Sequence, residues 1–156
     1  MTSRSQAEPA QAFGTPPFTR ILLGVDRSEQ SSRTIQTAAY LVRAFRADLI
    51  VAHVVNVSTG VAGNEFDGMP ANREERAILD SLELLVHQTF GADSDKIDVK
   101  ILHGDPAERL SEYADYSNCD LIIVGSRRQG AFKAAVRGSV SASTVSRSKK
   151  PVLVLK

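Results

Sequence analysis

Residues Arg20–Val25 read RILLGV and run directly into Asp26. An unbroken apolar run, with no polar residue at alternate positions, marks a strand covered on both faces, as strands of a parallel sheet are. Beyond Asp26, Ser28 is placed to cap a helix, with Glu29 in its first turn facing the positive helix end. Ile35, Ala38, Ala39, Val42 and Phe45 then recur at helical spacing up to about residue 46 and form one buried stripe. The second strand covers 49–57, reading LIVAHVVNV. Residues 58–72 contain Gly60, Gly63, Gly68 and Pro70 and read as a long irregular loop. A helix over 73–90 carries Ile78, Leu82, Leu85 and Thr89 on one face and stops at Gly91. The third strand spans 97–102, and Asp105 and Pro106 cap and open the next helix, with Leu110, Tyr113 and Ala114 on its apolar side. A fourth strand covers 121–124, a helix covers 139–148, and a last strand covers Val152–Leu155.

This alternation predicts right-handed βαβ crossovers and one doubly wound α/β domain, a five-stranded parallel sheet with helices on both faces. The domain spans 18–156. Residues 1–17 are polar, with Pro9, Pro16 and Pro17, and read as a disordered N-terminal tail.

The chain has 156 residues, 42% hydrophobic and 24% charged, the make-up of an ordinary globular domain. Its net charge of +1 excludes a molecule that binds polyanions over its whole surface, so any attraction for phosphate must be local. The single cysteine, Cys119, excludes an intrachain disulfide and a cysteine-built metal cage, and beside an apolar run it reads as a small buried hydrophobe. No apolar stretch approaches the ~20 residues of a membrane span. The N-terminus lacks the apolar core of a signal peptide, and the expected location is cytoplasmic.

In open parallel sheets, ligands bind at the carboxyl ends of strands where the strand order reverses. Two such ends stand out. One is Val25-Asp26. The other is Val124, followed from Gly125 to Ser141 by GSRRQGAFKAAVRGSVS. Gly125, Gly130 and Gly138 would let backbone approach a ligand closely. Ser139 then opens a helix whose N-terminus can receive an anion, with Ser141 as a further hydroxyl. From Ser126 to Lys150 there are seven basic residues, including Arg127, Arg128 and Arg137, and no Asp or Glu. This is a local positive pole in a nearly neutral chain. Phe132 is the one aromatic residue within it, which does not fit nucleic-acid binding. The chain has neither GxxxxGK[ST] nor a GxGxxG after a strand.

His53, His87 and His103 fall on separate elements, without HExxH spacing, and no GxSxG elbow occurs. His53 reads as a packed strand residue, His87 as exposed on its helix, and His103 as standing at the carboxyl end of the third strand. An acidic pair after the first strand, needed by a response-regulator receiver, is also missing. No enzyme is expected, and weak ATP hydrolysis is the most the residues support. No metal site made by protein ligands alone is expected. Asp26 could hold Mg²⁺ only together with phosphates.

Residues 18–156 resemble the universal stress protein family. The resemblance rests on Val25-Asp26 with Ser28, the His53-Val54 pair, Gly104-Asp105-Pro106, the terminal PVLVL, and the family pattern G-x-x-G-x9-G-[ST], matched by Gly125 and Gly138-Ser139. Two positions depart from it: Arg128 stands where the second glycine would be, and Arg27 where many members have glycine. The resemblance implies strand order 3-2-1-4-5 and an adenine nucleotide as ligand, ATP first, with AMP and cyclic AMP as the other candidates. Val25 and Asp26 would lie by ribose and adenine, and Val54 would contact adenine through its backbone. Gly125, beside Val124, with Gly138 and Ser139 would cradle phosphates, and Val140 and Ser141 would adjoin them. Arg127 and Arg128 either grip a phosphate or block it. The wholly apolar last strand would be an aggregation hazard at a sheet edge unless paired, and two-fold pairing with its own copy would cover it. The resemblance implies the same homodimer, through Val152, Leu153, Val154 and Leu155. The expected function is a dimeric stress-response sensor or regulator that binds an adenine nucleotide. The alternatives are a nucleotide-free dimeric interaction module, with binding blocked by Arg128, and a weak ATP hydrolase.

Overall fold

The computed structural model describes residues 16–56, 67–126 and 139–156. Among these residues five strands, β1 (Arg20–Val25), β2 (Asp48–Val55), β3 (Asp98–His103), β4 (Leu121–Gly125) and β5 (Val152–Leu155), alternate with four α-helices. The helices are α1 (Gln30–Phe45), α2 (Arg73–Phe90), α3 (Pro106–Tyr116) and α4 (Val140–Arg147). The strands are parallel and lie in the order β3-β2-β1-β4-β5, so the direction of winding reverses between β1 and β4.

The apolar run of β1 places this strand at the centre. Ile21, Leu23 and Val25 face α1 and α2, where they join Ile35, Val51, Leu79 and Ile123. Leu22 faces α3 and joins Ala52, Leu110, Tyr113 and Ile122. Each such side chain fully withdrawn from water stabilises the fold by about 1.5–3 kcal/mol. β1 collects this from Ile21, Leu22, Leu23 and Val25, on both of its faces. Cys119 is fully buried in the second cluster, and burial pushes its thiol up to about 11.

Several local expectations shift. The α1 stripe holds, with Val42 and Phe45 only partly buried. The cap of α1 is Glu29, without a side-chain hydrogen bond, and not Ser28. Ser28 is taken instead by Asp26, whose Oδ1 accepts from the Ser28 backbone N–H at 2.9 Å and from its hydroxyl. On α2 the buried face is Glu75, Leu79, Leu82, Val86 and Phe90, so of the expected stripe only Leu82 is fully buried. Ile78 and Leu85 lie at its margin. The hydrogen bonds of Glu75 and the ring of Phe90 fix the helix rotation from its two ends. Asp105 caps α3 as expected, accepting from Glu108 N–H at 2.9 Å, and Gly91 ends α2 with φ at 59°. Residues 1–15, Val57, Gly60 and Gly63 lie outside the described residues. Among the described residues, no helix is long and apolar enough to cross a membrane.

At the amino end of the sheet, one carboxylate ties β1 to β4. Asp120 accepts from Thr19 N–H at 2.8 Å, the Thr19 hydroxyl at 2.8 Å and Arg20 N–H at 3.1 Å. Burial works to raise the Asp120 pKa, but these donors outweigh it and hold the group below its usual range. Because the folded value lies below the unfolded one, the stabilisation is present above the unfolded pKa and is lost as pH falls through the folded one. Asp120→Ala should therefore cost about 1–2 kcal/mol at neutral pH, by the usual worth of charged hydrogen bonds at a partly exposed site. In urea titrations the gap from the parent protein should begin to narrow below about pH 4, where an ordinary aspartate is half protonated, and should close only as pH falls through the lower folded value.

Candidate functional site

Reversal between β1 and β4 brings two of the expected segments side by side. Gly24 lies opposite Val124 in the ladder, so Val25-Asp26 and Gly125-Ser126 leave neighbouring strands at the same end of the sheet. On the other flank of β1, Val25 lies opposite His53, and Val54 follows on β2, partly buried against the α3 side of the core.

The turn after β1 is tightly bonded. Besides Ser28, Asp26 Oδ1 faces the Ser31 hydroxyl at 3.2 Å, and that hydroxyl also donates to the Asp26 backbone carbonyl. Asp26 thus serves the turn through both its carboxylate and its carbonyl. Val25 is buried, and its carbonyl oxygen lies 3.0 Å from Nδ1 of His53. A carbonyl only accepts, so Nδ1 carries the proton. Arg27, expected as a departure, points to the surface and pairs with Glu74 at 3.6 Å, an exposed contact of little energetic weight.

Gly125 ends β4 without a left-handed φ. A Cβ there would lie 3.1 Å from the Thr34 hydroxyl oxygen of α1, tighter than ordinary contact. The constraint on this position is clearance for a packed helix and not freedom to turn. Gly24 is similar, because a Cβ would lie 2.7 Å from a methyl of Leu110 on α3. The two glycines let helices from opposite layers approach the strand ends.

On α4, Ser139 is the N-cap, as the sequence suggests, and accepts from Ala142 N–H at 3.2 Å. Its hydroxyl lies 3.1 Å from that of Ser141, which is buried, while Val140 is partly exposed. Arg127, Arg128 and Gly138, with the rest of the connection from β4 to α4, lie outside the described residues. A cavity of about 490 Å³ opens elsewhere, at the amino end of the sheet, between Arg20, Asp48, Asp98, Lys100 and Tyr116. Another, of about 370 Å³, lies between α1 and the end of β5. Neither is lined by Asp26, Val54 or Ser139. Balanced charges of both signs in the larger one give it no preference for an anion.

One polar cluster escapes the sequence reading. Glu75, buried on α2, accepts from Ala71 N–H at 2.6 Å and from the Asn72 side chain at 3.1 Å, and meets His103 Nε2 at 2.8 Å. Burial raises the Glu75 pKa, but the bonds from Ala71, His103 and Asn72 prevail and hold it below its ordinary value. Asn72-x-x-Glu75 is the pattern of a capping box, and this marks the glutamate as one that turns back on its helix start. His103 follows from topology alone, since only the order of strands brings it beneath α2. His87 is exposed, as expected. Among the described residues no group of three or more His, Cys, Asp or Glu could hold a metal ion.

A doubly wound α/β domain with its bonded turn and its small, glycine-cleared strand end at the point of reversal belongs to the class that receives ligands over the carboxyl edge of the sheet. Residues 17–156 match the model of the universal stress protein family. The stress response protein NhaX of Bacillus subtilis is 30% identical over 166 residues, covering 88% of this chain and 97% of its own length. Among solved structures, a universal stress protein in complex with cAMP aligns with a TM-score of 0.66 at 24% identity, over 89% of this chain and 97% of that one. The universal stress protein from Archaeoglobus fulgidus in complex with dAMP aligns with a TM-score of 0.60 at 20% identity, over 88% and 98%. The chain belongs to the universal stress protein family.

The close approach of Thr34 makes the end of β4 sensitive to a single methyl group. Gly125→Ala should lower stability by about 1 kcal/mol, the low end for an overpacked site. In a Thr34→Ala background the same change should cost less, with a coupling of at least roughly 0.5 kcal/mol in a double-mutant cycle.

Proposed function

We propose that this chain is a stress-response regulator that binds an adenine nucleotide, ATP foremost, over the carboxyl ends of β1, β2 and β4, and that it acts as a cytoplasmic homodimer. The observation that carries this reading is the adjacency of the Asp26 turn and Gly125 at the reversal of the sheet. The cAMP and dAMP complexes of the related folds support it. In this reading Val25, Asp26 and Val54 take adenine and ribose. Val124, Gly125, Gly138 and the Ser139-capped start of α4, with Val140 and Ser141, take the phosphates. A helix start with two adjacent hydroxyls suits phosphate oxygens chemically.

Arg127 and Arg128 supply the positive charge, and charge-assisted bonds from them would offset the missing glycine. Mg²⁺ would be shared by phosphate oxygens and the Asp26 carboxylate. Because Asp26 Oδ1 already accepts from Ser28 and faces Ser31, binding is favoured over a role for Asp26 as a base in hydrolysis.

Calorimetry with ATP, AMP and cAMP on nucleotide-stripped protein tests the proposal, and absence of heat at millimolar ligand would sink it. If Arg128 grips phosphate, Arg128→Gly should weaken ATP roughly tenfold, the equivalent of one charge-assisted bond, and leave adenosine unchanged. A gain of binding in that variant would instead favour the interaction module with its pocket closed by arginine.

The dimer reading rests on β5. This strand pairs with β4 and lies at the end of the strand order, with Leu153 36% exposed. Pairing Val152, Leu153, Val154 and Leu155 with a second copy would cover it. Light scattering after size exclusion should give twice the 16.9 kDa chain mass, and Leu153→Arg should shift the population to monomer. A clean monomer of the parent protein at micromolar concentration counts against the dimer.

A further inference from the structure

His53 lies on the core-facing side of β2, where its neighbours along the strand are the apolar Leu49, Val51 and Val55. His53 is 8% exposed. An imidazole buried there loses hydration that a leucine never had, and the loss is offset only through a hydrogen bond. The bond that the structure provides runs across the sheet to the carbonyl of Val25, at 3.0 Å. Val25 is the final residue of β1, and the next residue is Asp26.

The segment after β1 is therefore held from two directions. Ser28 and Ser31, close in sequence, hold Asp26 from within the turn. His53 reaches the preceding peptide from another strand, the strand whose next residue is Val54. We infer that His53 is a positioning residue: its Nδ1–H fixes the Val25-Asp26 peptide relative to the end of β2 and so sets the distance between the two halves of the adenine site. For its effect on affinity the inference rests on the nucleotide reading above. The hold on the turn does not depend on it.

The chemistry makes a sharp distinction between substitutes. An asparagine amide can donate from near the place of Nδ1, whereas leucine fills similar space and donates nothing. Amide hydrogen exchange in the ligand-free chain reads the hold directly. The Ser28 and Ser31 amides are the ones to follow, because both are bonded within the turn, to Asp26 Oδ1 and to the Ser28 carbonyl.

In His53→Leu these two amides should exchange at least roughly tenfold faster, while core amides such as Val51 and Ile122 keep their protection. A general loss of stability would speed all four alike. His53→Asn should restore the parent rates to within about threefold. In calorimetry with AMP, His53→Leu should weaken binding at least roughly tenfold, and His53→Asn should recover most of it. Those factors correspond to one hydrogen bond of ordinary worth. If His53→Leu does not fold, His53→Gln replaces it, since its amide lies one methylene beyond the carbonyl.

The inference is overturned if Ser28 and Ser31 exchange as in the parent protein, if asparagine behaves as leucine does, or if exchange rises without loss of affinity. Should the parent protein bind no AMP or ATP, the nucleotide reading fails, and the exchange rates alone still decide whether His53 holds the turn.

Discussion

Burial of β1 on both faces is the constraint from which the rest of the molecule follows. All six of its residues pair with β2, and residues 21–24 also pair with β4, while Ile21, Leu23 and Val25 enter one core and Leu22 the other. Past the exposed Arg20, the strand carries no polar side chain until it ends. The first charged side chain after it, Asp26, therefore emerges at the carboxyl edge, and there it turns the chain toward α1. The same central placement makes β1 the point at which winding reverses. The crevice of the sheet and the first charged residue after its central strand thus have a common origin.

Small residues at the strand ends extend this logic. Gly24 and Gly125 admit Leu110 of α3 and Thr34 of α1 to within contact of the backbone. Polar contacts then lock what packing leaves free. Asp120 fastens β1 to β4 at one end of the sheet, His53 fastens β1 to β2 at the other, and Glu75 fastens the start of α2 to β3. In each case a group from one element meets the backbone or the side chain of another that is remote in sequence.

The apolar runs made the strands legible, and their alternation with helical stripes was enough for the doubly wound class. Every strand and helix is present close to the expected bounds, because each depends on local periodicity or a local cap, as Asp105 with Pro106 illustrates. The departures fall where a local signal had a competitor. Ser28 looks like a cap from sequence, but the Asp26 carboxylate two residues earlier offers it a closer partner. The face of α2 was displaced because Ile78 and Leu85 match a helical period nearly as well as Leu79 and Val86, and only packing against the sheet chooses between adjacent stripes. Of the candidate site, Asp26, Gly125 and the Ser139 cap were legible as residue types at strand ends and a helix start.

Sequence by itself therefore determined the strands, the helices, the glycines at their ends and the family to which the chain belongs. These are properties of short segments, set by hydrophobic period, capping chemistry and backbone freedom. Tertiary structure decided that Gly125 leaves clearance for Thr34, that His53 bonds the carbonyl of Val25, and that Glu75 meets His103. Each of those depends on the distance between segments that the strand order brings together, and no spacing along the chain encodes that distance.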